Sequence, residues 1–177
     1  MDFRLEQCRS YGFVIDLSLR HNQQGIRYID LLKKGMIQWI GTSLEEGIDT
    51  LYLYNVFSCE AAITIGQQVA AVANYNIDGW KFNVFEALWH TSLVVSLSDE
   101  DVERIVVLVT DKTNDPIVIE RINRLIEKEG INCRLVVVGV DFDSEPLRTM
   151  VESRGGICTS TIDPDHFFSE EFRALCQ

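Results

Sequence analysis

The sequence predicts an α/β fold: a doubly wound, mostly parallel central sheet with one antiparallel edge strand and helices on both faces. Three observations predict it. Short apolar, β-branched runs at residues 105–109 and 134–140 have the composition of strands buried on both faces. Between such runs, apolar residues recur at three- and four-residue steps, so strand and helix alternate from end to end, as right-handed crossovers between parallel strands require. The connection from Phe57 to Ala61 is too short to hold a crossover helix, which makes residues 61–65 an antiparallel edge strand.

Each element has its own signal. YGFVIDLSLR, residues 11–20, opens as a buried strand and ends in a carboxylate and a hydroxyl, Asp16 and Ser18. Over residues 23–40, Ile26, Ile29, Leu32, Met36 and Ile40 form one apolar face with Arg27, Lys33 and Lys34 between them, predicting an amphipathic helix. After the break at Gly47, residues 49–57 read as a strand; residues 67–75 suit a short helix, and NIDGWK, 76–81, a loop. Helical spacing returns with Val84, Leu88, Thr91 and Val95 and should stop near residues 96–98, before the central strand that ends at Thr110 and Asp111.

Asp115 and Pro116 form a helix start, a capping carboxylate followed by proline, and Ile119, Ile122, Leu125 and Ile126 supply the buried stripe up to Gly130. The strand at 134–140 leads through a loop, 141–143, to a helix that Ser144 caps and Gly155 and Gly156 terminate, with Leu147, Met150 and Val151 facing inward. A short strand at 157–159 precedes a last helix carrying Phe168, Phe172 and Leu175. Trp39 and Trp89, both on helices, are expected to pack in or against the core. With no repeat, low-complexity tract or linker in view, one domain is expected over residues 1–177.

Composition narrows the function classes. The formal net charge of -11, from 16 basic and 27 acidic residues, repels phosphate backbones and anionic headgroups, which argues against nucleic acid and membrane partners. No stretch approaches the roughly 20 apolar residues that span a bilayer, and MDFRLEQCRS lacks the apolar core of a signal peptide, so a cytoplasmic location is expected. Cysteines at 8, 59, 133, 158 and 176 form no CxxC pair and no short Cys/His spacing, so they read as reduced thiols; a clasp between Cys8 and Cys176 is the alternative.

The chemistry-bearing residues gather at strand ends. Asp16, Asp111 and the pair Asp141 and Asp143 follow the carboxyl ends of predicted central strands, the edge where ligands sit in such sheets. Carboxylates with a hydroxyl such as Ser18 are oxygen ligands suited to Mg²⁺; equally, aspartates after strands cap helices and satisfy loop amides. No glycine-rich phosphate turn follows the first strand, no GxSxG elbow is present, and His21, His90 and His166 stand alone in sequence, so no nucleophile or base is identified.

The order of these motifs resembles the von Willebrand factor A (vWA) domains, a Rossmann-like family. Its first strand ends in DxSxS, a later loop supplies a threonine, and its fourth strand ends in an aspartate within a TDG-like turn; together these form a metal-ion-dependent adhesion site. Here Asp16, Ser18 and Arg20 fall on the first motif, GWKFNVFEAL looks like the threonine loop, VVLVTDK ends in Asp111, and GINCRLVVVGVDFDSEPLRTMVESRGG looks like the fifth-strand region. The resemblance runs from about Tyr11 to Leu175 and implies a non-catalytic module that binds a protein partner through its top face.

The departures are specific. Arg20 stands where the resemblance places a second serine, and Phe82 where it places the threonine, leaving Asp16, Ser18 and Asp111 as the surviving metal set. A guanidinium neutralises carboxylates through charge-assisted hydrogen bonds, so the expected state is a degenerate, metal-free site with Arg20 paired to Asp16 or Asp111. Trp80, Lys81 and Phe82 in the loop, with Arg20, Asp141 and Asp143, are the expected partner-binding residues. The alternatives are a Mg²⁺-dependent ligand-binding domain using Asp16, Ser18 and Asp111, and a metal-dependent phosphohydrolase on the same acidic edge.

Overall fold

The computed structural model describes residues 8–55, 59–76, 83–97, 102–128 and 133–176. Its organising element is β1 (Arg9–Asp16), whose last seven residues are all buried. β1 sits inside a six-stranded sheet ordered β3-β2-β1-β4-β5-β6, with β2 (Thr50–Leu53), β3 (Ala61–Ala62), β4 (Glu103–Thr110), β5 (Arg134–Val140) and β6 (Ile157–Thr161). All neighbouring pairs are parallel except β2 and β3, the expected antiparallel edge.

Helices cover both faces. On one lie α1 (Tyr28–Ser43), α2 (Ile65–Ala73) and the C-terminal segment, where Phe13 of β1 meets Trp39, Phe168 and Phe172 with ring centroids 5.6, 6.1 and 5.9 Å away. On the other lie α3 (Val84–Ser96), α4 (Pro116–Lys128) and α5 (Glu145–Ser153), where Val14, Leu108 and Val137 meet Ala87, Leu88, Ile122 and Val151. Local chemistry starts these helices as expected: Asp115 Oδ1 accepts from the Ile117 N–H at 2.9 Å, and Ser144 Oγ from the Leu147 N–H at 3.3 Å.

Four expectations need correction. α1 begins at Tyr28 rather than residue 23, because the Asn22 side chain accepts from the Gln24 and Ile26 N–H groups and Gly25 takes φ +78°, folding this stretch into a turn. β2 stops at Leu53, and residues 56 and 57 of the expected strand lie outside the described residues. The last helix is three pieces, α6 (Pro164–His166), a π-helical segment (Phe167–Glu171) and α7 (Phe172–Leu175); the wider turn still delivers Phe167, Phe168 and Phe172 to the core.

The fourth concerns Trp89, which is 44% exposed whereas Trp39 is 2% exposed. The reason is helical phase: α3 buries Ala87, Leu88, Thr91, Ser92 and Val95 against the sheet, and Trp89 lies off that face. The inward face packs closely, since a Cβ on Gly12 would stand 2.5 Å from Thr91 Cγ2 and 2.8 Å from Val95 Cγ2. Cys8 and Cys176 are free thiols, as are the other three cysteines, so the alternative clasp is not formed.

Two outcomes follow from this packing. Gly12→Ala should destabilise the fold by about 1–3 kcal/mol in urea titrations, because overpacking against two stiff β-branched side chains outweighs the gain in strand propensity. Burial pushes the Cys176 thiol up to about 12 from an ordinary value of 9.0. The fold thus favours the neutral thiol: stability is intact below the unfolded value and is lost as pH rises from there through the folded one. Denaturation measured upward from about pH 9 should show falling stability, with a shallower slope in Cys176→Ala.

Candidate functional site

The register from Arg9↔Glu103 to Asp16↔Thr110 brings the carboxyl ends of β1 and β4 level. Asp16 and Asp111, 5% and 7% exposed, are therefore neighbours, and each must be satisfied inside the protein. They achieve it by exchange. Asp16 Oδ2 accepts from Thr110 Oγ1 at 2.9 Å and Thr113 Oγ1 at 2.6 Å, both from the β4 side. Asp111 accepts from the Ser18 N–H, shared between its two oxygens at 3.1 Å each, and from the Ser18 hydroxyl, both from the β1 side.

The turn after β4 is fixed by the same hydroxyls. Thr110 Oγ1 accepts from the N–H groups of Lys112 at 3.2 Å and Thr113 at 3.0 Å, while the Asp111 N–H donates to the Asp16 carbonyl at 3.3 Å. The remaining Asp16 oxygen, Oδ1, has the Lys112 ammonium 3.4 Å away. Beside this cluster opens a cleft of about 520 Å³ lined by Asp16, Asn83, Lys112, Thr113, Asn114 and Asp115. Burial, and after it the charge of Asp16, raise the Tyr75 phenol above its ordinary range.

Asp16, Ser18 and Asp111 are thus brought together as expected, but Arg20 is not among them. Its Nη2 donates to Asp141 Oδ2 at 2.6 Å, and the guanidinium lies 5.8 Å from the Tyr28 ring centroid. The cause is local: Asp141 takes φ +46° at the end of β5, and Arg20 has already left β1, so the two exposed side chains meet over Tyr28. Asp143 stands apart from both, paired with Arg148 at 3.1 Å. Trp80, Lys81 and Phe82 lie outside the described residues.

Sequence reading passed over Thr113 and Lys112, and took Thr110 only as a strand end. The signal was the TDKT run itself, two hydroxyls and a cation around an aspartate directly after a buried strand. The chemistry of the donor set is that of hard oxygen ligands, yet every carboxylate oxygen of the pair already has an internal partner. Among the described residues no group of three or more His, Cys, Asp or Glu is placed to hold a metal ion.

The histidines and thiols offer no alternative centre. His21 pairs its backbone with Arg27, and the His90 ring stands edge-on to Tyr54 with centroids 5.9 Å apart. Burial pushes the Cys59 thiol up to about 11 and raises Cys133 and Cys158 as well, the direction opposite to that of an activated thiolate. Among the described residues, no helix is long and apolar enough to cross a membrane.

No protein-family model matches the chain, and no curated protein matches it by sequence. Solved structures do. The pilus adhesin SpaC from Lactobacillus rhamnosus GG superposes with a TM-score of 0.70 at 9% identity, over 92% of this chain and 29% of that one. The von Willebrand factor type A protein from Catenulispora acidiphila gives 0.65 at 16% identity, over 95% of this chain and 42% of that one. The SpRpn10 VWA domain gives 0.63 at 13% identity, over 92% and 93%. This chain thus spans under half the length of the first two and nearly all of the third. With the six-stranded order, the antiparallel edge and the carboxyl-edge aspartates already in place, the likeness settles the architecture: the chain has the fold of the von Willebrand factor A domains.

Proposed function

We propose that this chain is a non-catalytic protein-interaction module of the vWA type, working within a larger assembly, with a carboxyl-edge face that operates without a bound metal. The observation that supports the reading is the exchange between β1 and β4: each oxygen of Asp16 and Asp111 has an internal partner, and the one that accepts no hydrogen bond among the described residues, Asp16 Oδ1, faces the Lys112 ammonium. For the phosphohydrolase alternative, no base or nucleophile is identified among the described residues. The Mg²⁺-dependent alternative would need the Lys112 ammonium displaced from Asp16.

Support for a protein partner comes from the surface and from the neighbours. One neighbour is described as a pilus adhesin and another as a VWA domain. On α3, Trp89, Leu93 and the following Leu97 are 44%, 38% and 86% exposed at four-residue spacing, an apolar ridge of a kind that marks interaction surfaces. On the carboxyl edge, Arg20 and Asp141 present a charged pair and Asp143 pairs with Arg148; Trp80, Lys81 and Phe82, outside the described residues, are proposed as further partner contacts on sequence grounds. The acidic balance of the chain favours a partner with a basic surface.

Two measurements test this. Affinity purification from the native source should recover the same partner with EDTA or with Mg²⁺ present, and Trp80→Ala and Arg20→Ala should each weaken its recovery. A recovered set that neither substitution changes removes the carboxyl-edge face, and loss confined to Trp89→Ala moves the interface to α3. In parallel, Thr113→Val deletes one hydroxyl from Asp16 and should cost about 1.5–3 kcal/mol in urea denaturation, the magnitude of a buried hydrogen bond to a charged group. A stability within error of the parent chain would show that the exchange is not what holds the strand ends.

A further inference from the structure

We infer that Lys112 is the resident cation of the carboxylate pair and that its ammonium is what closes this site to divalent ions. The inference rests on the metal-free reading above and adds the residue responsible. Asp16 and Asp111 are buried side by side at the carboxyl ends of β1 and β4, where a neighbouring positive charge acts most strongly. Arg20, the cation that the motif order nominates, is engaged with Asp141 instead. Lys112 stands 3.4 Å from Asp16 Oδ1, the oxygen of the pair that takes no hydroxyl or amide hydrogen bond among the described residues.

Three features make this placement durable. Lys112 follows Asp111 directly in the chain, so the charge is tethered and its local concentration does not depend on solution composition. Its backbone N–H is held by Thr110 Oγ1, which fixes where the side chain starts. The side chain is 53% exposed in the cleft, so the ammonium meets Asp16 with one side and solvent with the other, which spares it the full desolvation cost. Around it remain hard oxygen donors, the carboxylates and the hydroxyls of Ser18, Thr110 and Thr113; without the ammonium they form a set that a hard cation would enter. The site is therefore latent rather than lost.

Manganese tests this directly, because a bound paramagnetic ion erases nearby amide signals in a ¹⁵N–¹H spectrum. Titrated with millimolar Mn²⁺, the unmodified chain and the charge-keeping Lys112→Arg variant should retain the signals of residues 16–18 and 111–113. Lys112→Ala, and Lys112→Gln as a second neutral variant, should lose them saturably, and Asp16→Asn added to Lys112→Ala should restore them. Saturable loss in the unmodified chain would overturn the inference, and so would folded Lys112→Ala and Lys112→Gln proteins that remain silent. Partner recovery in EDTA reports separately on the interaction module, so the two readings can fail independently.

Discussion

Two carboxylates, one at the end of each central strand, must be satisfied where water does not reach, and the solution is that each is held by the other strand's turn. Asp16 of β1 takes hydroxyls from Thr110 and Thr113, and Asp111 takes the amide and hydroxyl of Ser18. The exchange works only in one register. A one-residue slip of β1 against β4 would reverse every side chain of the strand, exchanging Phe13 and Ile15 with Val14 between the two cores and withdrawing Asp16 from the threonines. The polar cluster and both apolar cores therefore specify the same alignment, the kind of agreement between levels that makes a fold unique.

The same constraint sets what the face can do. A divalent ion bridging carboxylates can dissociate, so a face built on one responds to metal concentration. An ammonium on the residue next to Asp111 stays within reach whatever the solution composition, so a pair neutralised as proposed would not respond to metal concentration. By contrast, the Arg20–Asp141 pair, with both side chains 45% exposed, contributes little to stability, about 0–1 kcal/mol for a surface ion pair. Its consequence is positional: it ties the segment after β1 to the end of β5 and presents both charges on the outer surface.

The architecture was legible because strand and helix signals alternate without interruption, and because helix starts at Asp115 and Ser144 are written in capping chemistry that acts locally. What was not legible depends on distant partners. Residues 23–27 have helical spacing, but Asn22 and Gly25 offer a competing turn, and side-chain bonding to nearby amides won. Trp89 was expected to pack as a large aromatic on a helix, but it falls outside the inward face that Leu88, Thr91 and Val95 define. In the site, the convergence of Asp16, Ser18 and Asp111 followed from strand ends alone. The partners of the nearby cations did not, since the motif order pointed to Arg20, which pairs with Asp141, while Lys112, next to Asp111 in the chain, stands against Asp16.

The sheet edges argue further about where a partner can bind. Strand addition is a common route to recognition, and it needs an open edge. On one side β3 is two residues long, too short to template a strand. On the other, Thr161 of β6 accepts from the Asp141 N–H at the end of β5, so Cys158, three residues earlier, turns its carbonyl to the opposite, outer edge. Arg148 reaches from α5 to donate to that carbonyl at 2.8 Å, occupying an acceptor that an added strand would need. Among the described residues both edges are thus blunted, so a partner of the proposed kind would be met by side chains: those of the charged carboxyl edge, where the polar cluster fixes the geometry, or the apolar ridge of α3 on the side away from the sheet.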